Sequence, residues 1–243
     1  MTGAPFIRTV GLSGLLVSFG TEMSEAANRA ALAFRVALED EQWPEVSETM
    51  MSLVSVFVAV DLVETPTNGI EEKLRGLLDT QDWYVAPLPA GRTLWHVPTV
   101  YGTDLAPQLE EAAEVAGLDP DMAIRELSAA RVRVLTLGFA PGQPYLGELD
   151  AVWNIPRQQN LTKSVPSGAL VAAIRQLIVF TAPTPTGWRH VGQTAFRNFV
   201  LDSLEPFALS PGDEMTFPAI DRVAFDKIAP DDRFGGATRE MLP

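Results

Sequence analysis

The chain has 243 residues, of which 47% are hydrophobic and 20% charged, a globular composition whose length suits one large domain or two modest ones. It has no cysteine and a formal charge of −13, which excludes disulfides, thiolate nucleophiles and cysteine-based metal sites. A field of that sign repels nucleic acid and anionic membrane surfaces, and the 18 Lys and Arg residues form no basic cluster. No nucleic-acid or membrane partner is therefore expected. Residues 1–8 lack the basic-then-apolar pattern of a signal peptide, and the longest apolar runs, residues 53–60 and 169–180, are too short or are broken at Arg175-Gln176. A cytoplasmic location is the expectation.

In chain order, residues 9–19 predict one or two strands about Gly11 or Gly14. Ser24 then suits an N-cap, with Glu25 in the first turn. Ala27, Ala30, Ala31, Phe34 and Leu38 recur at helical spacing, and the helix should stop before Trp43-Pro44. Residues 52–61 read as one β-branched strand, and residues 68–80 as a second helix with Ile70, Leu74, Leu77 and Leu78 on one face. Together these predict a small split βαβ domain over residues 1–88. Residues 82–91 carry two prolines and read as a linker.

The second domain is expected over residues 89–243. It opens with a strand at 92–101, followed by helices at 105–116 and 120–129, the second started by Asp119-Pro120. Short strands are expected at 131–137, 169–173, 177–181, 190–194 and 214–220. Gly/Pro turns separate them, which suggests a barrel or sandwich. The fold class is thus α+β. The tail, residues 226–243, reads as irregular.

The densest stretch is residues 138–147, Gly-Phe-Ala-Pro-Gly-Gln-Pro-Tyr-Leu-Gly. Its amides suit an anion, but spacing alone favours a structural loop. The P-loop, nucleophile-elbow and histidine-zinc spacings are all missing. His96 reads as a strand surface residue, His190 as a residue that reaches a pocket, and Ser167 as a turn residue. Glu110 and Glu111 read as solvated neighbours on a helix. No complete catalytic constellation emerges, so the chain either binds or completes a site with another chain.

Residues 137–147 resemble the G-F-x-P-G-F-x-Y-L-G motif of the family that holds the 5-oxoprolinase B subunit and allophanate hydrolase subunit 1, and which includes a sporulation-kinase inhibitor. Pro156-Arg157, Val165-Pro-x-Gly168, Gln176, Pro185-x-Gly-Trp188, Val191-Gly-x-Thr194 and Pro211-Gly-Asp213 follow in the family's order. The resemblance implies a cyclophilin-like β-barrel as the second domain. It also implies a homologous larger subunit, of the type of allophanate hydrolase subunit 2 or the 5-oxoprolinase C subunit, with a third subunit in some assemblies. The implied substrate is a small amide, with ATP used in the complex to open 5-oxo-L-proline to L-glutamate. Phosphorylating the amide oxygen would make an unstrained amide electrophilic.

The implied cleft candidates are Phe139, Pro141, Gly142, Gln143, Tyr145, Arg157, Pro166, Gln176, Trp188 and His190. No catalytic residue is assigned and no metal ligand set is expected. Several polar family positions differ here. Gln143 replaces an aromatic, Leu161-Thr162 replaces Pro-Arg, Ala169 replaces serine, Leu127 replaces a histidine, and G-x-Q-T-G becomes Ile174-Arg-Gln-Leu-Ile178. Arg157, Lys163, Arg175 and Arg189 remain to offer charge to a carboxylate or phosphate. The alternative reading is a regulatory protein that inhibits a sensor histidine kinase. Carboxyl transfer ranks last, because the chain has no biotin-attachment motif.

Overall fold

The computed structural model describes residues 4–242. The chain divides into two compact units, Met1–Ala90 and Gly91–Pro243. Each has its own apolar core.

The first unit opens with a hairpin of β1 (Phe6–Val10) and β2 (Gly14–Ser18), paired from Phe6↔Ser18 to Val10↔Gly14. Helix α1 (Glu25–Asp40) starts where Ser24 Oγ accepts the Ala27 amide at 3.2 Å. Its stripe of Ala27, Ala30, Ala31, Phe34 and Leu38 is buried. Residues 52–61, expected as one strand, contain a hairpin turn at Leu53-Val54. Strand β3 (Glu48–Ser52) precedes the turn and β4 (Ser55–Ala59) follows it. Only Met51 of β3 is buried, so that strand carries no apolar alternation to betray it. Helix α2 (Thr67–Leu78) buries Ile70, Leu74, Leu77 and Leu78.

The sheet order is β1-β2-β4-β3 with antiparallel neighbours. β2 and β3 therefore run parallel with β4 between them, and α1 connects them as a split βαβ unit. The linker expected at 82–91 is corrected in its first half. Trp83–Val85 forms a 3-10 turn, and Trp83 is buried with its indole N–H donated to Leu78 O at 2.9 Å. Tyr84 Oη donates to Phe19 O at 2.8 Å.

In the second unit the strand expected at 92–101 is two strands, β5 (Thr93–His96) and β6 (Thr99–Tyr101). It breaks at Pro98, which has no N–H for the ladder. Helix α3 (Leu109–Ala116) begins four residues later than expected, because Pro107 disfavours helical backbone just before it. Helix α4 (Pro120–Ala129) is capped by Asp119, whose Oδ1 accepts the Met122 amide at 2.7 Å.

The β-rich part follows as β7 (Val132–Leu137), β8 (Pro144–Gly147), β9 (Thr162–Val165), β10 (Ala169–Ala173), β11 (Gln176–Val179), β12 (Thr184–Thr186), β13 (Arg189–Thr194) and β14 (Glu214–Thr216). A short helix α5 (Arg222–Asp226) and strand β15 (Thr238–Met241) end it. The tail expectation is thereby corrected. β15 pairs with β5 from Thr238↔His96 to Met241↔Thr93, and all four of its residues are exposed, which hides the strand from a hydrophobicity reading.

The main sheet runs β15-β5-β14-β7-β8-β11-β10-β13-β6, with β9 and β12 as a separate pair. β6 directly continues β5, and Thr99 N donates to Pro218 O while Ile220 N donates to Thr99 O. The sheet thus curls back on itself as a barrel. The inner faces of its strands contribute Val134, Leu146, Leu170, Ala172, Leu177, Val179 and Val191 to one core, which also takes Leu109 and Ala112 from α3 and Leu127 from α4. Gly168 sets the turn into β10. Its φ is +78°, and a Cβ there would lie 2.2 Å from Thr194 O. Asp213 bridges another turn, accepting the Thr93 amide at 2.7 Å and the Ser210 amide at 2.8 Å. Among the described residues, no helix is long and apolar enough to cross a membrane.

Candidate functional site

Because side chains alternate along a strand, the barrel has a second, outward face. Direct pairings put Tyr145, Ile178, Val171 and His190 in one row across β8, β11, β10 and β13. Gly147, Gln176 and Ala173 form the next row. Val165, Ala169, Val171, Ala173, Ile178, Phe180 and Trp188 bury one another on this face, with Tyr145 packed against them. Tyr145 meets Trp188 edge-on at 6.4 Å between ring centroids. The Arg157 guanidinium sits over the Trp188 ring at 5.2 Å.

His190 is buried, with the Gln193 side chain and the Gly192 backbone as the polar groups beside its ring. Burial, the largest influence, holds its imidazole below the usual histidine pKa. The Gln193 side chain and the Gly192 backbone partly oppose that effect.

Beside Trp188 lies a cleft of about 530 Å³ lined by Glu111, Pro156, Arg157, Gln158, Gln159, Asn160 and Arg189. Its wall is pinned by a polar chain. The His190 amide donates to Gln108 Oε1 at 2.9 Å, Gln108 Nε2 to Gln158 Oε1 at 2.8 Å, and Gln158 Nε2 to Trp188 O at 3.0 Å. The Gln158 amide donates to Gly187 O at 2.7 Å. Arg189 is buried and committed, with Nε on Glu111 Oε1 at 3.0 Å and Nη1 on Pro156 O at 2.6 Å.

Glu111 stays solvent-exposed on α3 as expected, and it also reaches Arg189 at the start of β13. Gln108, Glu111 and Gln158 carry no motif. The one signal available for them is the i, i+3 spacing of Gln108 and Glu111 beside the apolar positions Leu109 and Ala112.

Arg157, Tyr145 and Trp188 thus come together, with His190 and Gln176 on the same sheet face. Phe139 and Pro141 lie exposed on the loop before β8, with Phe139 at φ +70°. Gly142 is buried against the 198–199 segment, where a Cβ would come within 3.1 Å of Phe199 Cβ. The loop's own turn uses two amides, Gly138 N to Gln143 O and Gln143 N to Ala140 O. Gln143 is buried with Oε1 unpartnered, and Pro166 is exposed at the turn before Gly168. Two of the altered family positions are apolar core: Leu127 inside the barrel and Ala169 on its outer face. Among the described residues, no three His, Asp or Glu side chains are grouped to hold a metal ion. The cleft lining thus includes one guanidinium without an ion pair among the described residues, that of Arg157, and the side-chain amides of Gln159 and Asn160.

The chain is 28% identical over 228 residues to the 5-oxoprolinase B subunit of Bacillus subtilis (strain 168), covering 88% of this chain and 92% of that protein. It is 35% identical over 184 residues to the 5-oxoprolinase B subunit of Escherichia coli O157:H7, covering 76% and 83%. Among solved structures, the crystal structure of TTHA0988 superposes with a TM-score of 0.72 at 26% identity, covering 89% of this chain but only 40% of that longer one. The family model described as carboxyltransferase domain, subdomain C and D, matches residues 5–209, and the chain belongs to that family.

Proposed function

We propose that the chain is a non-autonomous subunit of an ATP-dependent amide-processing complex of the 5-oxoprolinase type, which opens 5-oxo-L-proline to L-glutamate. The observation that carries this reading is the 35% identity to the Escherichia coli O157:H7 protein, sustained over most of both chains. The cleft agrees with it in kind, because it offers donors that hold a small polar molecule. A homologous larger subunit, of the type of the 5-oxoprolinase C subunit or allophanate hydrolase subunit 2, and in some assemblies a third chain, would complete the reacting centre. ATP enters as co-substrate of the assembly, to activate the amide oxygen. Residues 1–88 and 89–243 would serve as its two domains, acting in the cytoplasm.

The test is deletion of the gene in its host, followed by growth with 5-oxo-L-proline as nitrogen source, together with affinity purification of the tagged chain. Lost growth and recovery of a larger homologous chain are expected. Unchanged 5-oxoproline use in the deletion strain overturns the reading.

A further inference from the structure

Sequence leaves four cations to offer charge to a ligand: Arg157, Lys163, Arg175 and Arg189. The structure separates them. Arg175 is tied to Leu149 O through Nε at 2.9 Å and faces Glu148 at 3.4 Å. Arg189 is neutralised by Glu111. Lys163 lies exposed on β9 and takes no part in lining the cleft. Arg157 alone of the four lines the cleft with no ion pair among the described residues.

Its position is held from below and behind. The guanidinium rests over the indole of Trp188, itself buried and braced by Tyr145. The backbone on either side is anchored, with Ile155 O accepting the Ile174 amide at 2.8 Å and the Gln158 amide bonded to Gly187 O. A planar fork fixed on a rigid platform loses little freedom on binding and suits an equally planar, bidentate partner. Next to it in the cleft stand the side-chain amides of Gln159 and Asn160, which match a neutral amide, while that of Gln158 is committed to Gln108 and Trp188. In a chain of net charge −13, an uncompensated guanidinium in a cleft is a local attraction for anions.

We infer that Arg157, stacked on Trp188, is the carboxylate anchor of a subsite for a small molecule bearing both a carboxylate and an amide. This rests on the proposed function for the identity of the molecule, 5-oxo-L-proline. Arg157 sets specificity by rejecting lactams that lack the acid group.

Calorimetric titration of the full chain with 5-oxo-L-proline, pyrrolidin-2-one and inorganic phosphate tests it. Wild type should bind 5-oxo-L-proline at least about tenfold more tightly than the lactam without the acid, and Arg157→Gln should remove that preference. Arg157→Lys keeps the charge without the fork and should recover only part of it. Because Arg157 is exposed, the variants should keep the wild-type circular dichroism spectrum, which is checked first. Equal binding of the two lactams, no binding of either, phosphate binding more tightly than 5-oxo-L-proline, or an unaffected Arg157→Gln overturns the inference. The two readings fail separately. An Arg157-dependent carboxylate site in a chain whose deletion leaves 5-oxoproline use intact keeps the subsite and rejects the proposed function. The converse result rejects the subsite alone.

Discussion

The two units bury polar groups in different ways. In the first unit the fully buried polar side chains are matched: Ser18 Oγ and Ser55 Oγ meet at 3.1 Å, and Asn28 Nδ2 donates to Leu53 O at 2.7 Å; only Oε2 of the part-buried Glu45, whose Oε1 pairs with Lys73, lacks a partner there among the described residues. In the barrel unit Gln143 Oε1, Asn198 Oδ1 and Trp95 Nε1 are buried without a partner among the described residues. An orphaned polar atom costs about 1–3 kcal/mol, so a fold that keeps several is not arranged for stability alone. The first unit is a packing scaffold built from side chains. The barrel is a backbone framework, set by turns, that leaves several polar atoms enclosed and unpaired.

The largest expected effect tests the scaffold half of that contrast. Phe34 is fully buried between Phe19, 5.4 Å away, and Trp83, 5.2 Å away and edge-on. Phe34→Ala removes the centre of this aromatic cluster and should cost about 3–5 kcal/mol, read as a lower urea midpoint. A loss below about 1 kcal/mol would mean the first unit is not held by this packing.

The matching test in the barrel touches backbone rather than a large side chain. Gly168 has φ +78°, and its carbonyl accepts both the amide and the hydroxyl of Thr194, at 2.9 and 3.0 Å. Gly168→Ala forces a Cβ against Thr194 O and should cost about 2–4 kcal/mol for one methyl group. A loss close to that of an ordinary surface substitution would show that the turn yields, and with it the view of the barrel as set by its turns.

The same contrast explains what is legible in the sequence. α1, α2 and α4 announce themselves through an apolar stripe, with a side-chain cap at α1 and α4, because each buries one face against a core. β10 is visible because all five of its residues are buried. β3 and β15 are not, since their exposed residues carry no alternation and only their partners define them. At the site, Arg157, Tyr145 and Trp188 are reached through motif positions. Gln108 and Glu111 escape, because their roles depend on α3 packing beside β13, which no local spacing encodes. Phe139 and Pro141 belong to the same motif yet lie out in solvent, so membership of a motif does not place a side chain in the cleft.

The smallest effect has the opposite sign and is the sharpest test. The β10–β11 hairpin turns on Ile174 and Arg175, at φ +45° and +62°, a two-residue loop that favours glycine or asparagine. A β-branched residue in the left-handed region is strained by about 1–2 kcal/mol. The strain persists because the turn is pinned, with Ile174 N on Ile155 O at 2.8 Å and Arg175 N on Trp153 O at 3.0 Å. Ile174 is 43% exposed, so truncating it forfeits little burial. Ile174→Gly should relieve the strain, lose part of the gain to the freer unfolded chain, and stabilise the protein by about 0.5–1 kcal/mol. Arg175→Gly should not, because it also removes the Nε bond to Leu149 O. If backbone conformation governs the barrel, adding a glycine at 174 raises the urea midpoint while removing one at 168 lowers it. Destabilisation by both would return the control to side-chain packing, as in the first unit.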